Sequence, residues 1–405
     1  MSLSQKFHLL EEVSNSVKKQ VEKSFDELFS DADSEDLIFA SESEKELDDI
    51  SKLATKIVKD FDNIIFVGTG ASYTIPKMYL DFAATTKTNF YFLRNIDSKL
   101  INDLVKRLDP ERTVAILISK SGETAEVVVN FLKLHEWLKK HLSDKEIKSR
   151  FIAITEEKPS ELFAIAETIG CKNIVHPNVG GRFSVFTVVG LLAASLAGFD
   201  IKKMMSSVKK ITHKLIKEKK SLIESVSFYH ENFLSGNHHI LLSYGEYFEG
   251  FNEWHSQLIH ESLGKGGKGV ISQTAIGAYD QHIRLQYLLD GSDKVFCSLL
   301  AIKKIKNDLS IKNQTKIKTL NYYSKNSFHE TLIKNCIVVV ELIKNSQKPL
   351  REVSLSQVNE EDICELIVRQ IIELMLLAHL RGINPFGQPA IENIKNRIKE
   401  ELNDA

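Results

Sequence analysis

From Asn63 onward the chain alternates short apolar runs with longer stretches of helical period. Residues 64–68, 90–93, 114–119 and 151–155 are the runs, and residues 75–84 and 124–140 carry the helical repeat between them. A run such as Val114-Ala115-Ile116-Leu117-Ile118 is apolar at successive positions, which suits a strand covered on both faces. After residue 230 the pattern starts again, with strands at 239–243, 295–302 and 351–356 and helices at 247–261, 329–345 and 362–381. This alternation predicts an α/β fold: two doubly wound lobes, each with a mainly parallel sheet flanked by helices.

Between the lobes, residues 202–227 place Lys on most outward positions and Ile211, Leu215, Ile216 and Leu222 at helical spacing, which predicts one long connecting helix. Residues 26–49 carry eleven acidic side chains against the single Lys45, as a helical arm would. The expected organisation is an acidic helical arm over 1–45, a first lobe over 46–200, a linking helix over 201–230, a second lobe over 231–385 and a C-terminal helix over 386–405. Residues 184–198 form the longest apolar stretch. At roughly 20 residues for a bilayer crossing, it is too short and reads as a buried helix.

Charge narrows the partners. The 53 Lys plus Arg almost cancel the 54 Asp plus Glu, so no chain-wide field attracts nucleic acid or anionic lipid, and an anionic ligand must be held locally. The four cysteines form no CxxC pair, and the first twenty residues are interrupted by Lys6, His8, Glu11 and Glu12. Neither a zinc or redox site nor an apolar signal segment is expected, and a reducing cytoplasm is.

Two strand ends carry the first candidate chemistry. Gly68-Thr69-Gly70-Ala71-Ser72 offers glycines where the chain must turn and let a ligand approach backbone amides. A dinucleotide site would want Gly at 73 and a carboxylate after the next strand, where Tyr73 and Arg94-Asn95 stand instead. Ser119-Lys120-Ser121-Gly122-Glu123-Thr124 sets three hydroxyls and an ammonium where a helix begins, a place suited to a phosphate monoester. An ordinary N-cap by Ser121 would need the same residues and no ligand.

The proton-handling candidates lie further on. Arg182, in Gly180-Gly181-Arg182-Phe183-Ser184, opens the apolar stretch and must be satisfied by a carboxylate or a ligand. Gln257 and Glu261 are four apart on one helix, so they share a face, and apolar neighbours make Glu261 a candidate general base. His255, His260 and Glu261 lack the second His four positions beyond His260 that a zinc helix needs, because Gly264 stands there. His282 sits at a predicted loop-to-helix mouth, and Gln388 and Lys395 follow Asn384-Pro385-Phe386-Gly387.

In order, these segments resemble the phosphoglucose isomerase family from about Asn63 to Lys395. Gly180-Gly181-Arg182-Phe183-Ser184 and the Phe386, Gln388, Glu392, Lys395 arrangement are similar to its two most recognisable motifs. The resemblance implies cofactor-free, metal-free isomerisation between glucose 6-phosphate and fructose 6-phosphate in a homodimer with shared active sites. By that resemblance, Ser72, Ser119, Lys120, Ser121 and Thr124, beside Gly70, would hold the 6-phosphate. Glu261 would be the base, Arg182 would steady the enediolate, and His282, lent across the dimer, and Lys395 would open the ring. Gln257 and Gln388 would bind hydroxyls or water. Leu263, Gly387 and Ala390 depart from the family, which usually has Asn, Asp or Asn, and Gly there. An amino-sugar phosphate isomerase and a non-catalytic sugar-phosphate regulator are the alternatives; the latter would have no use for Glu261, Arg182 and Lys395 together.

Overall fold

The computed structural model describes residues 3–9, 13–30, 42–83 and 86–403. Its strands, in chain order, are β1 (Leu3–His8), β2 (Asn63–Val67), β3 (Asn89–Leu93), β4 (Thr113–Ile118), β5 (Phe151–Thr155), β6 (Lys172–Val175), β7 (His238–Tyr244), β8 (Ser272–Gly277), β9 (Val295–Lys304) and β10 (Leu350–Gln357). They form two five-stranded sheets, ordered β3-β2-β4-β5-β6 and β1-β10-β9-β7-β8. Among the described residues, every pairing between these strands is parallel except that of β1 with β10.

The apolar runs of the first sheet are explained by the parity of their side chains. Ile64, Phe66, Ile116, Ile118, Ile152 and Ile154 enter a large core that continues into the second lobe. Ile65, Val67, Ala115, Leu117, Phe151 and Ala153 enter a separate core beneath the Ala125–Lys139 helix. β2 and β4 are buried at every position. The stretch expected to be a buried helix is one, over Val188–Leu196, preceded by a tight helical turn over Gly181–Phe186.

Two expectations need correcting. The long linking helix is two helices, Ile201–Lys217 and Lys220–Leu234, broken at Glu218 and Lys219. The first packs against the Glu360–Leu380 and Glu44–Asp60 helices, the second against the Asn15–Leu28 and Glu360–Leu380 helices. The residues expected as an acidic helical arm are largely built into the body. β1 closes the edge of the second sheet, and the Asn15–Leu28 helix buries Val17, Val21 and Phe25. Residues 31–41 of the arm lie outside the described residues.

The lobes meet along two helices, Ala71–Phe82 from the first and Glu249–Leu263 from the second. Gly250 permits this approach: a Cβ there would lie 2.4 Å from the Met78 backbone nitrogen. Along the second helix Glu249, Glu253, Gln257 and Glu261 recur every fourth residue and so form one stripe. Each meets a first-lobe partner: Lys77 at 3.1 Å, Arg94 at 3.1 Å, Thr74 at 3.0 Å and Arg182 at 3.0 Å. No helix among the described residues is long and apolar enough to cross a membrane.

Candidate active site

β2 and β4 are adjacent and parallel, so the loops leaving their carboxyl ends lie side by side at the edge where open α/β sheets bind ligands. In the first loop Gly70 has φ of +56° and its Cα faces Gln257; a Cβ would sit 3.1 Å from the Gln257 amide nitrogen. Gly68 leaves room for Ser72, whose Cβ would be 2.7 Å from a Cβ at position 68. The helix from Ala71 therefore starts against the second lobe with its N-terminus at the sheet edge.

The second loop turns at Gly122, with φ of +74° and Ser160 packed against it. Ser119 Oγ and Thr124 Oγ1 lie 2.7 Å apart, the Gly122 N–H donates to Ser119 Oγ at 3.1 Å, and the Glu123 N–H donates to Ser121 Oγ at 3.3 Å. Thr124 is the N-cap of the Ala125–Lys139 helix, yet its side chain makes no capping bond. The hydroxyl is turned toward Ser119, and the cap position falls at Thr124 rather than at Ser121. The Lys120 ammonium donates to Asn178 Oδ1 at 3.0 Å and lies 3.7 Å from Glu156.

Glu261 stands at the end of the inter-lobe stripe, its side chain 27% exposed. Gln257 Nε2 donates to its Oε1 at 2.8 Å; Arg182 Nη1, at 3.0 Å, and Gln388 Nε2 donate to its Oε2. The surroundings are thus polar donors rather than the apolar neighbours expected from the sequence, because Leu258, Ile259 and Leu263 face the core. Gln257 is itself fixed, its Oε1 accepting from Thr74 at 3.0 Å.

Arg182 is buried to 2% exposure and spends every nitrogen. Nε donates to Ser262 Oγ at 2.7 Å, Nη1 to Glu261, and Nη2 to the carbonyls of Pro385 and, at 3.4 Å, Gly387. Its main-chain carbonyl accepts from Trp254 Nε1 at 2.9 Å. Burial draws the guanidinium below its ordinary range, and the Glu261 carboxylate opposes that. Segments distant in sequence, residues 180–184, 257–262 and 384–388, therefore converge on one carboxylate.

The remaining candidates stand apart. His282 lies on the short Gln281–Gln286 helix after β8, exposed, and its side chain makes no hydrogen bond or ion pair among the described residues. Lys395 falls within the Pro389–Asn403 helix, but its side chain is outside the described residues. His255 is buried 3.3 Å from Ser272 Oγ, and His260 receives the Ser272 N–H at 3.3 Å, so both ring systems serve the second lobe's interior.

Sequence reasoning missed Thr74, Ser262 and Lys265. Lys265 Nζ donates to the carbonyls of Asn384 and Phe386 at 2.8 and 2.6 Å. Only their neighbourhood to Ser72, Glu261 and Gly264 could have drawn attention to them.

Comparison with known proteins identifies a family. The family model described as "Phosphoglucose isomerase" matches residues 49–333. The glucose-6-phosphate isomerase of Campylobacter jejuni is 31% identical over 350 residues, covering 84% of this chain and 85% of that protein. The probable glucose-6-phosphate isomerase of Methanococcus maripaludis is 28% identical over 377 residues, covering 85% and 79%. Among solved structures, a hypothetical protein from Thermus thermophilus aligns over 97% of this chain and 94% of that one, with a TM-score of 0.83 and 24% identity. A glucose-6-phosphate isomerase from Chlamydia trachomatis aligns over 99% and 88%, with a TM-score of 0.78 and 17% identity.

Proposed function

The chain belongs to the phosphoglucose isomerase family, and we propose that it interconverts glucose 6-phosphate and fructose 6-phosphate on the site built around Glu261. The observation that carries the residue assignment is the convergence of Gln257, Arg182 and Gln388 on that one carboxylate, with the helix start at Gly70 set against Gln257.

In the open-chain sugar, the Glu261 carboxylate takes the proton from C2, and the C–H electron pair becomes the C1=C2 bond of a cis-enediolate. The same carboxyl group returns the proton to C1 while the O2 proton passes to O1, leaving a ketone at C2. A positioned base is worth about 10² to 10⁴ in rate. Both Glu261 oxygens are occupied in the free enzyme, so substrate hydroxyls must take over amide donors from Gln257 and Gln388. Arg182 keeps positive charge beside the developing oxyanion, an effect worth about 3 kcal/mol for one such donor. Ser72, Ser119, Ser121 and Thr124, with Lys120 near them, anchor the phosphate at the helix starts and orient the reacting carbons.

Ring opening falls to Lys395 and to His282 of a second copy. The exposed His282 is flanked by exposed Tyr279, Ile283 and Tyr287, an apolar rim that supports a homodimer in which each copy completes the other's site. The chemistry calls on no cofactor or metal. Four buried, free cysteines support a place in the reducing cytoplasm. The deciding experiment supplies fructose 6-phosphate to the purified protein and follows glucose 6-phosphate with a coupled dehydrogenase; no product above the uncatalysed background rejects the reading.

A further inference from the structure

Residues 384–388 connect the buried Glu360–Leu380 helix to the Pro389–Asn403 helix, and successive carbonyls of this loop point alternately to two cations. Asn384 and Phe386 present theirs to the Lys265 ammonium at 2.8 and 2.6 Å; Pro385 and Gly387 present theirs to Arg182 Nη2. The next side chain, Gln388, donates to Glu261. Lys265 follows the C-terminus of the helix that carries Glu261, so one short segment supplies both the carboxylate and the cation that places the loop opposite it.

Holding two cations this close has a cost. Burial and the nearby Arg182 charge both draw the Lys265 ammonium below its ordinary range, with Glu261 opposing. The carbonyl dipoles offset that repulsion. If fastening the chain end were the whole requirement, an outlying contact would serve. Lys268 Nζ already donates to the Arg381 carbonyl at 3.1 Å, and Arg381 returns a bond to the Lys268 carbonyl. Lys265 adds a grip close to the glutamine that meets the base.

We propose that Lys265 is a positioning residue: with Arg182 it holds the 384–388 loop between two cations and thereby sets the aim of Gln388 at the reacting carbons. This rests on the isomerase reading above. Lys265 makes no hydrogen bond to Glu261 among the described residues, so its removal tests placement of the loop separately from loss of the base.

The test compares Lys265→Met, which keeps the aliphatic stem, with Lys265→Arg, which restores a cation able to bridge two carbonyls. For Lys265→Met, kcat for fructose 6-phosphate falls by roughly 10- to 100-fold, as about an ångström of misplacement predicts. The half-saturating concentration changes by less than about twofold because phosphate anchoring is untouched. Lys265→Arg recovers most of the loss, and the urea midpoint of both variants stays at the parent value. Amide hydrogen exchange over residues 385–390 accelerates in Lys265→Met alone. Parent kcat with parent exchange in Lys265→Met overturns the proposal, as does a kcat loss matched by a lower urea midpoint and not rescued by Arg. An inactive parent protein would refute the isomerase reading instead, while the exchange comparison still decides the clamp.

Discussion

Arg182 Nη1 and Glu261 Oε2 lie 3.0 Å apart, with the guanidinium 2% and the carboxylate 27% exposed. The pair joins the start of the first lobe's buried helical segment to the end of the second lobe's principal helix, so each charge is the other's main compensation. Breaking such a pair from one side leaves the buried member stranded. Glu261→Gln replaces an acceptor of three donors by a group that can accept on one atom only. Turnover falls by about 10² to 10⁴, whereas calorimetric binding of the sugar phosphate persists. Turnover near the parent rate would remove Glu261 from the chemistry.

Thr124→Val keeps the shape of the side chain but deletes the hydroxyl that faces Ser119 at 2.7 Å. A hydrogen bond to a charged group contributes about 1.5 to 3 kcal/mol, so the half-saturating substrate concentration rises by roughly 10- to 100-fold with kcat nearly constant. Steady-state kinetics across both substrates checks this. An unchanged half-saturation point would mean that the Ser119–Thr124 turn does not hold the phosphate.

Gly250→Ala tests the seam between the lobes. Its Cβ would lie within 2.4 to 2.7 Å of backbone atoms of Lys77 and Met78, which cannot rotate aside. The helices must separate, at about 1 to 3 kcal/mol of stability in a urea titration. Activity declines as well, because the displaced helix carries Gln257 and Glu261. Full stability in the variant would show that the helix contact is softer than its spacing implies.

Acid should loosen the second lobe through its buried histidines. Burial pushes His255 down to about 4, with a Gln370 hydrogen bond and the Glu373 charge opposing and His260 and Arg351 adding to it, and burial together with His255 and Arg351 holds His239 well below the usual imidazole range. Their folded-state values lie below the unfolded value of 6.5, so the unfolded chain takes up protons first as pH falls. Their contribution is complete above that value and shrinks on acidification, at most about 1.4 kcal/mol per pH unit per histidine. The groups facing them include Ser272, Ser298, Arg351 and Glu373. His255→Gln should flatten the slope of unfolding free energy between about pH 6.5 and 4 relative to the parent; parallel slopes would exclude the effect.

The central parallel strands were legible because burial on both faces leaves an unbroken apolar signal, as in β4, where all six residues are buried. The pairing of Gln257 with Glu261 was legible because helical spacing alone puts them on one face. β1, β6 and β8 were not: at least half the positions of Leu3–His8, Lys172–Val175 and Ser272–Gly277 are polar, and their strand character comes from the ladder they join. The break at Glu218 and Lys219 was hidden because both flanking helices keep helical spacing. Lys265 was invisible for another reason: its partners are main-chain carbonyls, which every residue possesses. Gly387 shows how a departure becomes readable afterward. Its φ of +70° suits glycine, and Asn or Asp enters that region more readily than other residues, so the family's usual choices and this one fit the same turn.

The antiparallel edge strand β1 also bears on how the molecule is made. Leu3 to His8 leave the ribosome well before Leu350 to Leu355, the residues they pair with, so this six-residue ribbon waits while both lobes between them are made. A nascent chain must therefore protect that ribbon, and severing the gene between the two lobes would hand β1 to the half that has no place for it.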